Sequence, residues 1–180
     1  MSDLEKKVLG VSAHRDSREK LAKEILDNER NLKRLFELAL LPDTARKSLW
    51  ILEMIGRTAP LQLIKYEEQL KAVFKEKSPM QAKRSLAKIA EMITLSSSPP
   101  LSENLKNILI EFCFDILIYN ATPAEKVFAM TALANLSEKE AWIKNELRAI
   151  IDRDYASESP AFRARARILQ KKWDKSEAGR

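Results

Sequence analysis

Glycine, histidine and cysteine are scarce in this 180-residue chain, which holds 3 Gly, 1 His and 1 Cys. Few glycines argue against a β-sandwich and against a phosphate-binding glycine loop, because both need residues that tolerate positive φ angles. One histidine and one cysteine cannot supply the four ligands of a structural zinc site. We therefore expect no metal and no other cofactor, and the sequence indicates no catalytic residue.

Long hydrophobic runs are also missing. Charged residues interrupt every apolar stretch before the roughly 18 residues of a membrane-spanning helix, and residues 1–10 lack the apolar core of a signal peptide. Cys113 lies in the apolar run 108–118, which predicts a buried thiol, and a single cysteine excludes an internal disulfide. These features predict a cytoplasmic protein without a membrane partner.

The residues that are present favour helices. Hydrophobic residues make up 45% of the sequence and charged residues 32%, which is enough apolar material for one compact domain over residues 1–180. Three expected helix starts place a hydroxyl cap before a proline, namely Ser78-Pro79, Thr122-Pro123 and Ser159-Pro160. Asp43 or Thr44 is expected to cap a fourth helix.

Apolar residues at helical spacing predict four helix pairs, over residues 28–57, 60–95, 101–136 and 140–174. Capping-box spacing in Ser2-x-x-Glu5 and Asp16-x-x-Glu19 predicts two short helices within residues 2–26. The second helices of the pairs start near Asp43, Pro79, Pro123 and Pro160, at intervals of 36, 44 and 37 residues. Intervals near 40 residues are typical of stacked helical repeats. A loop at 96–100 explains the longer interval of 44 residues.

The segment 159–169, Ser-Pro-Ala-Phe-Arg-Ala-Arg-Ala-Arg-Ile-Leu, resembles the second helix of a HEAT-type (armadillo-like) repeat. Segments 43–49 and 123–133 resemble it in part. The resemblance implies an all-α fold, a right-handed α-α superhelix in which the second helices line a concave surface. It also implies a scaffold that binds a partner and does not catalyse a reaction.

Two enzyme classes share parts of this pattern. The stretch from Lys126 to Arg165 looks like short bacterial HEAT-like proteins, some of which carry an adenylosuccinate lyase label; the histidine chemistry of that lyase is missing here. HEAT-like DNA alkylation-repair glycosylases use tryptophan and aspartate in a basic cleft, and Trp50 with Asp115 are the residues that would take these roles. No motif of either class maps onto the chain residue by residue.

The net charge of +6 is unevenly distributed. The predicted second helices hold 13 Lys and Arg against 5 Asp and Glu, a net charge of +8, whereas the first helices have a net charge of −1. The second helices are counted as 43–57, 79–94, 123–136 and 160–175. If these helices share one face, that face is basic and attracts an anionic partner.

The predicted partner-binding residues are Arg46, Lys83, Arg163, Arg167 and Lys171. The last three recur every four residues and form a basic stripe on one helix. We expect an acidic protein as partner, because the first helices are electrically balanced, and nucleic acid is the alternative. A solvated face on the last helix would produce the same pattern.

Other polar and aromatic residues have structural interpretations. His14 is expected in an exposed loop, and Glu67-Glu68 and Asp152-x-Asp154 as solvated charge. Asp115 stands in an apolar helix, so we predict a buried ion pair with Arg84. Trp142 and Trp173 are each expected either in the core or as a cap over it.

Overall fold

The computed structural model describes residues 1–75, 83–95 and 100–179. Within these ranges the chain forms α-helices and no strand, which confirms the all-α class. The helices are α1 (Asp3–Gly10), α2 (Arg15–Leu26), α3 (Glu29–Ala39), α4 (Ala45–Thr58), α5 (Pro60–Ile64), α6 (Glu67–Lys75), α7 (Lys83–Leu95), α8 (Glu103–Ile118), α9 (Pro123–Leu136), α10 (Ala141–Asp154) and α11 (Pro160–Ala178). None of the described helices combines the length and the apolar character needed to cross a membrane.

The helices pack as two rows. Helices α2, α4, α7, α9 and α11 are neighbours in that order, and we call them the second-helix row. On the other side, α1 contacts α3, α3 contacts α6, and α6 contacts α8, while α10 packs on α9. The helices predicted as second members of the pairs therefore lie side by side, and α2 extends their row by one helix.

Three of the predicted caps are confirmed. The hydroxyls of Ser2, Thr122 and Ser159 each accept a hydrogen bond from a backbone N–H in the first turn of α1, α9 and α11. Ser2 and Thr122 complete capping boxes with Glu5 and Glu125. These caps depend on residues three apart, so sequence spacing is sufficient to find them.

Two predicted caps are wrong. Helix α2 begins after His14 and Asp16 lies inside its first turn, so the Asp16-x-x-Glu19 box does not form. Thr44 precedes α4, but its buried hydroxyl donates a hydrogen bond to the carbonyl of Leu38 at 2.6 Å. It makes no capping hydrogen bond to α4. The predicted start at Ser78-Pro79 and residues 96–99 of the predicted loop lie outside the described residues.

The single helix expected near 60–77 is divided into α5 and α6 at Lys65 and Tyr66. The Tyr66 ring lies 5.9 Å from the ring of Phe36, and its hydroxyl donates to the carbonyl of Glu29 at 3.3 Å. Both contacts are with α3, more than 25 residues earlier in the chain. This tertiary anchoring explains why local periodicity did not predict the break.

One cluster of buried residues runs from Leu4 to Trp173 and includes side chains of all the helices named above. Cys113 is fully buried, as predicted, and Trp173 is 5% exposed and belongs to the core. Trp142 is 52% exposed, which excludes the core alternative of its prediction and leaves the capping one. Its ring stacks on Phe114 at 6.2 Å, and its Nε1 donates to Glu140 at 2.9 Å.

Candidate partner-binding surface

Helix α4 presents four long side chains along one line. Arg46, Trp50, Glu53 and Arg57 are spaced by four, three and four residues, which places them on the same helix face. This line lies where α4 meets α2 on one side and α7 on the other. Residues far apart in sequence therefore converge on it.

Glu53 is the centre of a buried polar network at the α4–α7 contact. Its side chain is 1% exposed, and its Oε2 accepts a hydrogen bond from the Ser85 hydroxyl at 2.9 Å. Arg57 Nη2 lies 2.7 Å from Oε1, and Arg84 Nη1 lies 3.7 Å from Oε2. The carboxylate is thus fully engaged by groups of the chain itself, as a buried charge requires.

Trp50 lies one turn before Glu53 and is half-buried. Two guanidinium groups approach its indole ring: the Cζ atom of Arg46 lies 5.2 Å from the ring centroid and that of Arg18 lies 5.8 Å from it. Such cation–π contacts contribute about 0.5–1 kcal/mol each at exposed sites. They hold the two arginines of α2 and α4 at one place on the surface.

Phe128 of α9 repeats this arrangement with cations of α7. Lys88 Nζ lies 4.6 Å from the ring centroid, and the Cζ atom of Arg84 lies 5.7 Å from it. Lys88 also pairs with Glu91 on its own helix. Arg84 therefore reaches both the α4 network, through Glu53, and the ring on α9.

These contacts form two groups, at Trp50 and at Phe128, along four successive helices of the second-helix row. We call the two groups together the cation–aromatic strip, and its members are Arg18, Arg46, Trp50, Arg84, Lys88 and Phe128. Each ring belongs to the helix that follows the helix supplying a cation. The strip offers guanidinium and ammonium donors beside aromatic faces, a combination that suits carboxylates and flat polar groups.

With the observed helix bounds, α4, α7, α9 and α11 hold 13 Lys and Arg against 5 Asp and Glu. The excess of positive charge predicted for this row is therefore retained. Internal acids reduce it locally, because Glu53 and Glu91 lie within the strip and Lys126 of α9 pairs with Glu158.

The predicted basic stripe of α11 lies on the side of this helix that borders α10. Arg167 Nη1 donates to the hydroxyl of Tyr155, directly after α10, at 3.0 Å. Asp174, seven residues further along the same side, lies 3.7 Å from Arg148 of α10. The side chains of Arg163 and Lys171 make no hydrogen bond or ion pair with any residue in the described ranges.

Arg165 and Ile168 lie on a different side of α11 from the stripe. Phe128 is five residues after the proline that begins α9, and Arg165 is five residues after the proline that begins α11. Ile168, one turn later, is 57% exposed. Arg165 and Ile168 are not among the residues predicted to bind a partner.

The five predicted residues are not one cluster. Arg46 belongs to the strip, and Lys83 is half-buried next to Arg84 at the start of the described part of α7. Helices α7 and α9 separate Arg46 from the three stripe residues of α11. With interaxial distances of 8–10 Å per step, this separation is roughly 25–30 Å.

The prediction for Asp115 is wrong. Asp115 is exposed on α8, and Arg84 pairs with Glu53 on another helix. The most deeply buried carboxylate of the described residues is that of Glu53, which the sequence pattern did not distinguish from a solvated charge. Its position four residues before Arg57 was the available signal, since this spacing favours an ion pair on a helix.

Side chains that often carry chemistry are spread over the molecule. His14 is exposed directly before α2, and burial raises the pKa of the Cys113 thiol well above its usual range. In the described part of the chain no group of three His, Cys, Asp or Glu side chains is arranged to hold a metal ion. Trp50 and Asp115 lie on α4 and α8, in different rows.

Comparisons of the chain with protein-family models, with curated proteins and with solved structures gave no match. The HEAT-type resemblance therefore rests on the residues of the chain alone.

Proposed function

We propose that this protein is a non-enzymatic scaffold of HEAT-type repeats that binds an acidic protein through its second-helix row. In this proposal the helix pairs form a right-handed superhelix in the cytoplasm, and the row lines its concave side. The cation–aromatic strip is the observation that supports it most directly. Six side chains from four helices converge there, and four of them are cationic.

The strip has the composition of a binding surface. Arginine and tryptophan are enriched where protein partners contribute most to affinity. Arg84 is 52% exposed even though it reaches Glu53, so its guanidinium has donors that point to solvent. Positive charge over the whole row also accelerates the approach of an acidic partner.

Charge reversal on three surfaces tests the proposal. Arg18→Glu with Arg46→Glu changes the strip, and Arg163→Glu with Arg167→Glu and Lys171→Glu changes the stripe of α11. Arg30→Glu with Lys33→Glu is the matched control on α3, a helix outside the second-helix row. The partner is captured, identified and purified, and its affinity for each variant is measured by calorimetry.

We expect the strip variant to lose binding by at least about a hundredfold and the α3 variant to stay within about threefold, since rim charges mainly affect association rate. If the stripe variant also loses binding, the partner-binding surface includes α11. Binding that survives strip reversal, or that is lost equally in the α3 control, would contradict the proposal. Circular dichroism establishes that each variant retains its helices.

Nucleic acid is the second candidate, and Trp50 between two arginines is the feature in its favour. Bases stack on aromatic rings and on guanidinium planes, and Lys and Arg neutralise phosphates. A protein that follows a phosphate backbone loses affinity steeply as salt rises. Retention of single-stranded or duplex DNA at about 50 mM salt, with a steep decrease by about 200 mM, would favour this candidate over the acidic protein.

A further inference from the structure

The cation–aromatic strip consists of two islands. Arg18, Arg46 and Trp50 form the first on α2 and α4, and Arg84, Lys88 and Phe128 form the second on α7 and α9. In the second island, Arg84 lies near Glu53 and Lys88 pairs with Glu91.

In the first island, Arg18 has no acidic partner among the described residues. Its Nε is buried and makes no hydrogen bond there, although the side chain as a whole is only half-buried. The neighbouring acid on α2, Glu19, is paired with Arg15 at 2.6 Å. Glu53, one turn beyond Trp50, is engaged by Arg57 and Ser85.

A partly desolvated guanidinium without a counter-ion is unusual, because burial penalises a charge that is not paired. A second guanidinium, that of Arg46, contacts the same indole ring. An anion that binds Arg18 lies close to this second positive charge, and the terminal nitrogens of Arg18 are its donors. Partial desolvation strengthens that interaction.

We infer that the Arg18–Trp50–Arg46 island binds a carboxylate side chain of an extended acidic polypeptide, whose next acidic group reaches Arg84 and Lys88. This inference rests on the proposed function and specifies the partner's chemistry.

The spacing of the islands sets the register of that polypeptide. Trp50 and Phe128 are each the sixth residue of their helices, and the two helices are separated by α7. At 8–10 Å per helix, the islands are roughly 16–20 Å apart. An extended chain rises about 3.3 Å per residue, so acidic residues about five or six positions apart contact both islands.

The acids inside the strip favour a polypeptide over a nucleic-acid strand. Glu53 is buried and pairs with Arg57, so the surface beside it offers less unpaired positive charge than the island at Arg18. A nucleic-acid strand has a phosphate at every nucleotide, including those that lie between the islands. A polypeptide can have uncharged residues there and carboxylates only at the islands.

A labelled peptide of twelve glutamates, about 40 Å long when extended, is the probe, and binding is measured by fluorescence anisotropy at about 50 mM salt. A (Gly-Ser)6 peptide and labelled 20-nucleotide single-stranded and duplex DNA are measured in parallel. Arg18→Gln removes the charge at Trp50. Arg15→Gln removes one charge from the same helix, three residues away, and is the matched control.

We expect Arg18→Gln to weaken glutamate-peptide binding by about tenfold, the effect of losing one charge-assisted contact, and Arg15→Gln by less than about twofold. Arg18→Lys keeps the charge without the planar donor pair, so its loss should be intermediate. Thermal unfolding establishes that the variants are folded. The glycine-serine peptide should not bind.

Three results would overturn the inference: no binding of the glutamate peptide, equal losses in Arg18→Gln and Arg15→Gln, or tighter DNA binding that depends on Arg18 in the same way. The binding surface of the proposed function is tested separately, by the affinity of the identified partner. If that partner requires Arg18 and Arg46 while the glutamate peptide does not bind, the strip is still the binding surface and an acidic polypeptide is excluded as its ligand.

Discussion

The carboxylate of Glu53 accepts a hydrogen bond from the Ser85 hydroxyl at 2.9 Å, and both residues are buried where α4 meets α7. This pair joins two helices of the second-helix row beneath the cation–aromatic strip. Because Arg57 and Arg84 also lie at the carboxylate, the same group fixes the position of two surface cations. Stability and the geometry of the proposed binding surface are therefore linked at Glu53.

Glu53→Ala should destabilise the protein by about 3 kcal/mol, because it leaves the Ser85 hydroxyl and the Arg57 guanidinium without their acceptor and Arg84 without its ion-pair partner. Glu53→Gln should cost about 1–2 kcal/mol, since the amide oxygen still accepts from Ser85. Urea unfolding measures both. Glu37→Ala removes an exposed acid paired with Arg34 and should change stability by less than about 1 kcal/mol. If Glu53→Ala and Glu37→Ala lower the free energy of unfolding by the same amount, the buried polar network at Glu53 is contradicted.

Glu177 of α11 should show an acid-shifted titration. Hydrogen bonds from Lys144 and Arg148 lower its pKa from 4.5 to about 2. A carboxyl whose pKa is lowered on folding stabilises the folded state above its unfolded pKa, and that contribution is lost as pH falls toward the folded value. Glu177→Gln should therefore lower Tm at pH 6, and the difference should shrink between about pH 4.5 and pH 2.

Thermal unfolding of wild type and Glu177→Gln at several pH values measures this difference. The control is Glu111→Gln, because Glu111 is exposed on α8 and makes no ion pair with any described residue. A difference for Glu177→Gln that stays constant from pH 6 to pH 3 would contradict the assigned ion pairs. NMR titration of the Glu177 carboxyl carbon gives the pKa directly.

The Cys113 thiol should be unreactive in the folded protein. It is fully buried, and burial raises its pKa, so both access and the thiolate fraction are low. A chromogenic disulfide reagent should release no product within minutes under native conditions and one equivalent in about 6 M guanidinium. Rapid native labelling would show that α8 opens locally at this position.

The cap of α9 should contribute measurably to stability. The Thr122 hydroxyl accepts from the Glu125 N–H at 3.4 Å, and the Glu125 carboxylate accepts from the Thr122 N–H at 2.7 Å. Thr122→Ala should cost about 1 kcal/mol in urea unfolding. Thr122→Ser keeps the acceptor and should be nearly neutral. A full loss in the serine variant would show that the methyl group, and not the cap, stabilises this position.

Features that depend on residues close in sequence were predictable. The all-α class, the caps at Ser2, Thr122 and Ser159 and the burial of Cys113 follow from local spacing and hydropathy. Predictions that required knowing which helices meet failed. Asp115 was placed in the core although it is exposed, because an apolar helix pattern does not show where one polar position faces.

The binding surface shows the same division. Arg46 was selected from its repeat position, and it is part of the strip. Arg18, Lys88 and Phe128 were not selected, because each is an ordinary helix residue until its neighbour from another helix is known. The stripe residues of α11 had the correct periodicity, but their side of the helix borders α10.

The sequence by itself determined that this protein is helical, where most of its helices begin, and which helices hold its excess positive charge. Helix formation and capping are decided within a few residues, so composition and spacing contain that information. Only the tertiary structure decided that Glu53 is buried and Asp115 is exposed, and that Arg18 and Arg46 meet at Trp50. Those outcomes depend on the packing of helices distant in sequence, which sets burial and pairing.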